Sequence, residues 1–126
     1  MKILIIGESC QDTFIYGSAT RLCPEGPVLV FREASRVYSV GMAKNVYHNF
    51  VNLKDHLNLD IEFTFISNDV VGDKVRYIDS ESNQLLLRVD EDQHNPIGLE
   101  VLSSIDFDLY DAVVVSDYDK GFLSHE

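Results

Sequence analysis

The chain opens on a short apolar run, Lys2 to Ile6, closed by Gly7, which predicts a strand buried on both faces. Thr13 to Tyr16 and Val28 to Arg32 are rich in β-branched and aromatic residues, and Arg36 to Ser39 alternates in character. Punctuated by Gly17, Pro24, Gly26 and Pro27, these pieces predict short antiparallel strands and turns. From Gly41 the period changes. Ala43, Val46, Tyr47, Phe50 and Val51 recur at three- and four-residue spacing, the pattern of an amphipathic helix ending near Leu53. Ile61 to Ile66 reads as a strand, and Lys74 to Ile78 and Leu85 to Val89 as two arms of a hairpin around the polar stretch Asp79 to Asn83. Asn95 and Pro96 precede a short helix expected over Gly98 to Ile105, with Leu99, Leu102 and Ile105 on one stripe. Asp111 then opens AVVVSD, a second strand expected to be fully buried.

Apolar strands separated by helices, joined by a group of alternating short strands, predict an α/β sheet with a small β accessory layer. No repeat, low-complexity run or linker interrupts the 126 residues, so a single domain, 1–126, is expected. With 45% apolar and 25% charged residues, the composition suits a globular protein with one core. The formal charge of −11 argues against a nucleic-acid partner, because a phosphate backbone needs a basic face. A small anion held by a few local cations remains compatible with it. Cys10 and Cys23 are too few for a disulfide framework and lack metal-ligand spacing, so both read as free thiols. His48, His56, His94 and His125 show no metal-type spacing either, and no metal site is expected. Neither G-x-x-x-x-G-K-[ST] nor G-x-G-x-x-G occurs, which excludes two common nucleotide-binding signatures. Met1-Lys2 leads straight into ILIIG without a leader pattern, and no apolar run approaches the roughly 20 residues that cross a bilayer. A cytosolic setting and no membrane partner are expected.

Several polar residues sit where a ligand could use them. Asp12 lies shortly after the first strand, where a carboxylate can accept hydrogen bonds from adjacent sugar hydroxyls; residue type alone favours a turn or helix-cap role. Gly41 to Asn45 opens the helix, where bare glycine backbone and free N–H groups suit an oxygen-rich ligand, or where Gly41 is simply a turn and Asn45 faces solvent. Lys74, Arg76 and Arg88 are either phosphate-binding cations or ordinary charges on alternate strand positions. Asp117 and Lys120 follow the last strand, at a junction that is unexceptional by itself.

Taken in order, Gly7, Asp12, Tyr16, Gly17, Arg21, Pro24, Glu25, Pro27, Gly41 and Asn45 form IIGESCQDTFIYG, TRLCPEGPV and VGMAKNV. This order resembles the opening of a ribokinase/PfkB-type carbohydrate kinase, and most of all the kinase domain of the bifunctional heptose-7-phosphate kinase/heptose-1-phosphate adenylyltransferases. Lys74-Val75-Arg76, Asn83-Gln84 and Leu87-Arg88-Val89-Asp90 resemble the family's K-x-R and NQQLIRLD hairpin, and Ser116 to Gly121 its SDYxKG motif.

The resemblance implies a Rossmann-like ribokinase fold, here its N-terminal portion with a small β-lid whose strands span about 13–39 and 74–90. It implies substrate binding by Asp12, Gly41, Asn45, Lys74, Arg76, Arg88, Asp117 and Lys120. Arg21 and Glu25, in the lid, are expected to form an internal ion pair. Two departures stand out. Glu8 replaces the usual Asp, and Met42 replaces the second glycine of a Gly-Gly pair, where a side chain could fill the pocket or forbid glycine's backbone angles. The family has a further helix and strand between Ser67-Asn68-Asp69 and Lys74, and beyond Gly121 an ATP site and a G-A-G-D segment bearing the catalytic base; this sequence carries neither. The expectation is therefore a shortened, sugar-side portion with no catalytic residue of its own. ATP and Mg²⁺ would be cofactors of the family but not bound by this chain alone. The expected partners are a sugar phosphate and either a second copy, paired through the lid, or a complementary kinase half. A non-catalytic binding or oligomerising module is the alternative.

Overall fold

In the computed structural model, which describes residues 1–68, 72–91 and 96–123, β1 (Lys2–Gly7) is the middle strand of a parallel sheet. It runs between β4 (Glu62–Ile66) and β7 (Ala112–Ser116), with Ile5 opposite both Phe65 and Val114. The continuous apolar run dictates this place, since only a central strand buries both faces, and Leu4 and Ile5 are fully enclosed. Parallel strands need long crossovers, and α1 (Met42–Leu57) supplies part of one. On one face Tyr47 stacks on Phe65 with ring centroids 4.9 Å apart, and Phe50 lies 5.9 Å from Phe63. On another, Ile6 packs with Ile97 and Phe122, flanked by the half-buried Leu102 and Ile105 of and beside α2 (Leu99–Ser104).

Strands and helix together with the segments around them, Met1–Cys10, Val40–Gly72 and Asp92–Glu126, form one compact unit. The second unit, Gln11–Ser39 with Asp73–Glu91, is a four-stranded sheet. Its strands are β2 (Ser9–Leu22), β3 (Leu29–Gly41), β5 (Gly72–Asp79) and β6 (Leu85–Asp90), in the order β3-β2-β5-β6. The architecture is α/β, as the periodicity implies.

Several elements differ from the sequence expectation. Strands expected at 13–16, 28–32 and 36–39 are stretches of two long ones, β2 and β3. Gly17 does not end a strand; it makes room within one. A Cβ there would collide with the Arg32 carbonyl and lie 2.6 Å from the Phe31 ring, which makes a 5.3 Å edge contact with Tyr77. Helix α1 passes Leu53 and stops at Leu57, because nothing breaks it before Asn58, whose left-handed backbone caps the end. Lys54 and His56 in that last turn suit its negative pole. The strand expected to be fully buried, β7, has only β1 beside it among the described residues, and Val113 and Val115 are 43% and 59% exposed. On α2, Leu99 stays 68% exposed while Leu102 is half-buried, so the stripe is not wholly covered. Asn95, expected before that helix, lies outside the described residues. No described helix is long and apolar enough to cross a membrane.

Candidate functional site

In the first unit, the residues beyond the carboxyl ends of β1 and β7 are gathered by a side chain that the sequence marked only as a departure. Glu8 is 5% exposed. Its Oε1 accepts hydrogen bonds from the backbone N–H of Tyr118 at 2.8 Å and of Lys120 at 3.1 Å. Its own carbonyl accepts from the N–H of Ala43 at 2.9 Å, at the start of α1. A buried carboxylate is costly unless hydrogen-bonded, and charge-assisted bonds are the strong kind. Asp117 closes the same turn by accepting from the N–H of Asp119 at 2.8 Å. Gly7 lets these segments approach: a Cβ on it would collide with the Ser116 carbonyl and lie 3.0 Å from the Ala43 Cβ.

Four candidates therefore share this unit. Gly41 is buried, Lys120 half-buried, and Asn45 and Asp117 exposed. They stand on segments that Glu8 ties together, at the carboxyl edge of a parallel sheet, where α/β folds bind ligands. Met42 keeps a left-handed backbone, with φ 56°, although it is not glycine. The other described non-glycine residues with positive φ are Asn58, Asn83 and Asp119, types that tolerate it. Nearby, Ser9 exchanges backbone bonds with the Asn68 side chain at 2.6 and 3.1 Å, and its hydroxyl meets that of Ser67 at 2.6 Å. A cleft of about 330 Å³ opens beside that network, lined by Phe65, Ile66, Asn68, Ile97, Val101 and Phe122 among others. Glu8 stood out only as a departure and Ser67 and Asn68 only as the edge of a gap, because polar residues after a strand carry no signal of their partners.

The second unit holds Asp12, Lys74, Arg76 and Arg88. Asp12 is neither a turn residue nor a helix cap; it lies within β2. Antiparallel pairing sets Arg76 opposite Arg88 and Lys74 opposite Asp90, so all four project to one face of the sheet. The cations are not isolated there. Arg76 donates to Asp12 at 2.5 Å and lies 5.1 Å from the Phe14 ring centroid. Arg88 grips Asp90 with two bonds, at 2.6 and 2.8 Å, which hold the Asp90 carboxyl below the usual carboxylate range. Behind Asp12, the buried Thr13 hydroxyl donates to Asp73, a pair that no motif announced. The expected Arg21–Glu25 ion pair is not formed. Both residues are exposed, and the turn between β2 and β3 is closed by backbone instead, from the Cys23 N–H to the Val28 carbonyl at 2.8 Å. Cys10 and Cys23 are free thiols. Among the described residues no group of His, Cys, Asp and Glu is placed to hold a metal ion; His94 and His125 lie outside them.

No family model matches the chain. The bifunctional protein HldE of Helicobacter hepaticus is 29% identical over 154 residues, a match covering 99% of this chain and 32% of that protein. HldE of Helicobacter pylori strain HPAG1 is 31% identical over 153 residues, covering 99% and 33%, and that of strain J99 is 32% identical over 152 residues, with the same coverage. The chain thus spans about a third of the length of these curated relatives. The matched stretches are longer than its 126 residues, so the relatives carry residues that it lacks inside the match. Among solved structures, ribokinase from Giardia lamblia superposes with a TM-score of 0.47 at 17% identity, covering 90% of this chain and 44% of that one. A carbohydrate kinase from Agrobacterium tumefaciens gives 0.43 at 14% identity, covering 71% and 34%.

Proposed function

We propose, for a chain homologous along 99% of its length to the bifunctional HldE proteins, that it serves the sugar-phosphate side of a carbohydrate-kinase reaction. The substrate class is a heptose-phosphate-like sugar. In a complete kinase, the γ-phosphate of ATP, carried with Mg²⁺, passes to a sugar hydroxyl. Such transfer depends on positioning the nucleophile and neutralising phosphate charge. This chain supplies the positioning residues: Asp12, Gly41 and Asn45 toward sugar hydroxyls, and Lys74, Arg76, Arg88, Asp117 and Lys120 toward the phosphate-bearing end. Phosphoryl transfer itself requires the ATP-binding portion, either from a longer chain or from a complementary kinase half.

One observation supports this reading above the others. Gly41, Asn45, Asp117 and Lys120 come from distant parts of the sequence, yet their segments meet on the backbone bonds of Glu8 at the carboxyl edge of the sheet.

A second reading, a non-catalytic sugar-phosphate-binding or oligomerising module, draws on Met42. Its left-handed backbone stands where the resembling family has glycine. Exposed Leu29, Val37, Leu87 and Val89 on the sheet of the second unit support pairing with another copy through that sheet. The setting proposed under either reading is the cytosol.

Calorimetric titration with heptose 7-phosphate, and separately with Mg-ATP, tests the choice. Binding of the sugar phosphate that Asp12→Ala abolishes without unfolding the chain is the expected outcome. Silence with both ligands, alongside a stable dimer in sedimentation, would favour the oligomerising module.

A further inference from the structure

We infer that Glu8 is a positioning residue for anion binding, setting the Asp117–Lys120 turn so that Lys120 meets a phosphate through its ammonium group; this rests on the sugar-phosphate reading above. A buried carboxylate close to an anion site would repel the ligand if its charge were open to it. Here the Glu8 carboxylate is 5% exposed and is engaged by two N–H donors of the turn. Those donors are then no longer available to a ligand, so the turn does not act as a backbone cradle of the kind that usually holds phosphate. Any contact of Lys120 with an anion comes through its side chain, as a compact point charge.

The same residue fixes a second segment. Its carbonyl receives the Ala43 N–H, two positions past Gly41 and two before Asn45. Glu8 therefore holds the start of α1 through its main chain and the turn after β7 through its side chain, so a side-chain substitution loosens the turn alone.

The test is a ¹H–¹⁵N NMR titration with heptose 7-phosphate of the wild type, Glu8→Gln, Lys120→Ala and the double variant. Glutamine preserves the shape and one acceptor oxygen, so the fold is expected to survive. The Tyr118 and Lys120 amide protons should move upfield in Glu8→Gln, and affinity should fall about tenfold, equivalent to 1.4 kcal/mol. The double variant should bind no more weakly than Lys120→Ala alone, because Glu8 acts through Lys120. Wild-type affinity in Glu8→Gln, or losses that simply add, would overturn the inference. A wild type that binds no sugar phosphate would instead overturn the proposed function. The two amide resonances would then decide this inference alone, and it fails if they do not move in Glu8→Gln.

Discussion

The two units carry the same number of sequence candidates but hold them by different means. In the first, Asp117 and Lys120 stand on a turn whose backbone is fixed by a buried carboxylate, and Gly41 and Asn45 on a helix start tied to the same residue. In the second, Arg76 and Arg88 stand on strands, and each is held by a neighbouring carboxylate at the sheet surface. Backbone bonds to a buried acceptor have few alternatives, so breaking them is costly. Side-chain pairs with partial solvent access are worth little and can exchange partners. An anion could therefore replace Asp90 on Arg88 at small expense, whereas the part-buried Asp12–Arg76 pair and the turn around Glu8 have to be in place beforehand.

Breaking that contrast at its strongest point gives the largest expected effect. Glu8→Ala strands the Tyr118 and Lys120 N–H groups and empties their acceptor's space, at a cost of about 3 kcal/mol in urea denaturation. A loss below about 1 kcal/mol would show that the turn does not depend on Glu8.

Gly17→Ala comes next, and it asks whether the second unit is rigid in its sheet rather than in its ion pairs. The new Cβ meets the Arg32 carbonyl and the Phe31 ring, so a loss of about 2 kcal/mol is expected from overpacking. By comparison, Arg88→Ala should change stability much less, because its pair with Asp90 is solvent-accessible.

Met42→Gly reverses the sign. A left-handed methionine costs on the order of 1 kcal/mol, and glycine removes that strain while adding some freedom to the unfolded chain. A small net gain in melting temperature is expected. A lower melting temperature would show that methionine packing outweighs the backbone strain.

The smallest effect is a pH dependence in the second unit. The Asp79 carboxyl is held below its ordinary value, first by the Ser82 hydroxyl, and that of Asp90 by Arg88. A depressed carboxylate contributes stability that is complete above its unfolded pKa of about 4 and is lost as pH falls through the folded value. The β5–β6 hairpin should thus lose amide protection, relative to the intrinsic exchange rate, on acidification below about pH 4, and only modestly, since Asp90 is exposed and Asp79 only half-buried. Unchanged protection there would remove these carboxylates as contributors.

Much of the fold was legible in the chain. The unbroken apolar run of β1 fits the centre of its sheet, although the like run of β7 does not lie there, and the three- and four-residue spacing from Ala43 to Val51 can bury a stripe only as a helix. Proline and glycine located the β2–β3 turn and the polar stretch Asp79 to Asn83 the β5–β6 turn, though Gly17 cut β2 too short, because a glycine's tolerance of close approach reads the same as a break. The ordered motifs likewise marked Asp12, Gly41, Asn45 and Lys120 as candidates. Partnership was not legible. The neighbours of Glu8 are Tyr118 and Lys120, more than a hundred residues away, and those of Arg76 and Thr13 are Asp12 and Asp73 on other strands. Periodicity reports which face of an element is apolar, a property local to that element. Which carboxylate meets which N–H or guanidinium depends on strand order and register, and those are settled only when the sheet closes.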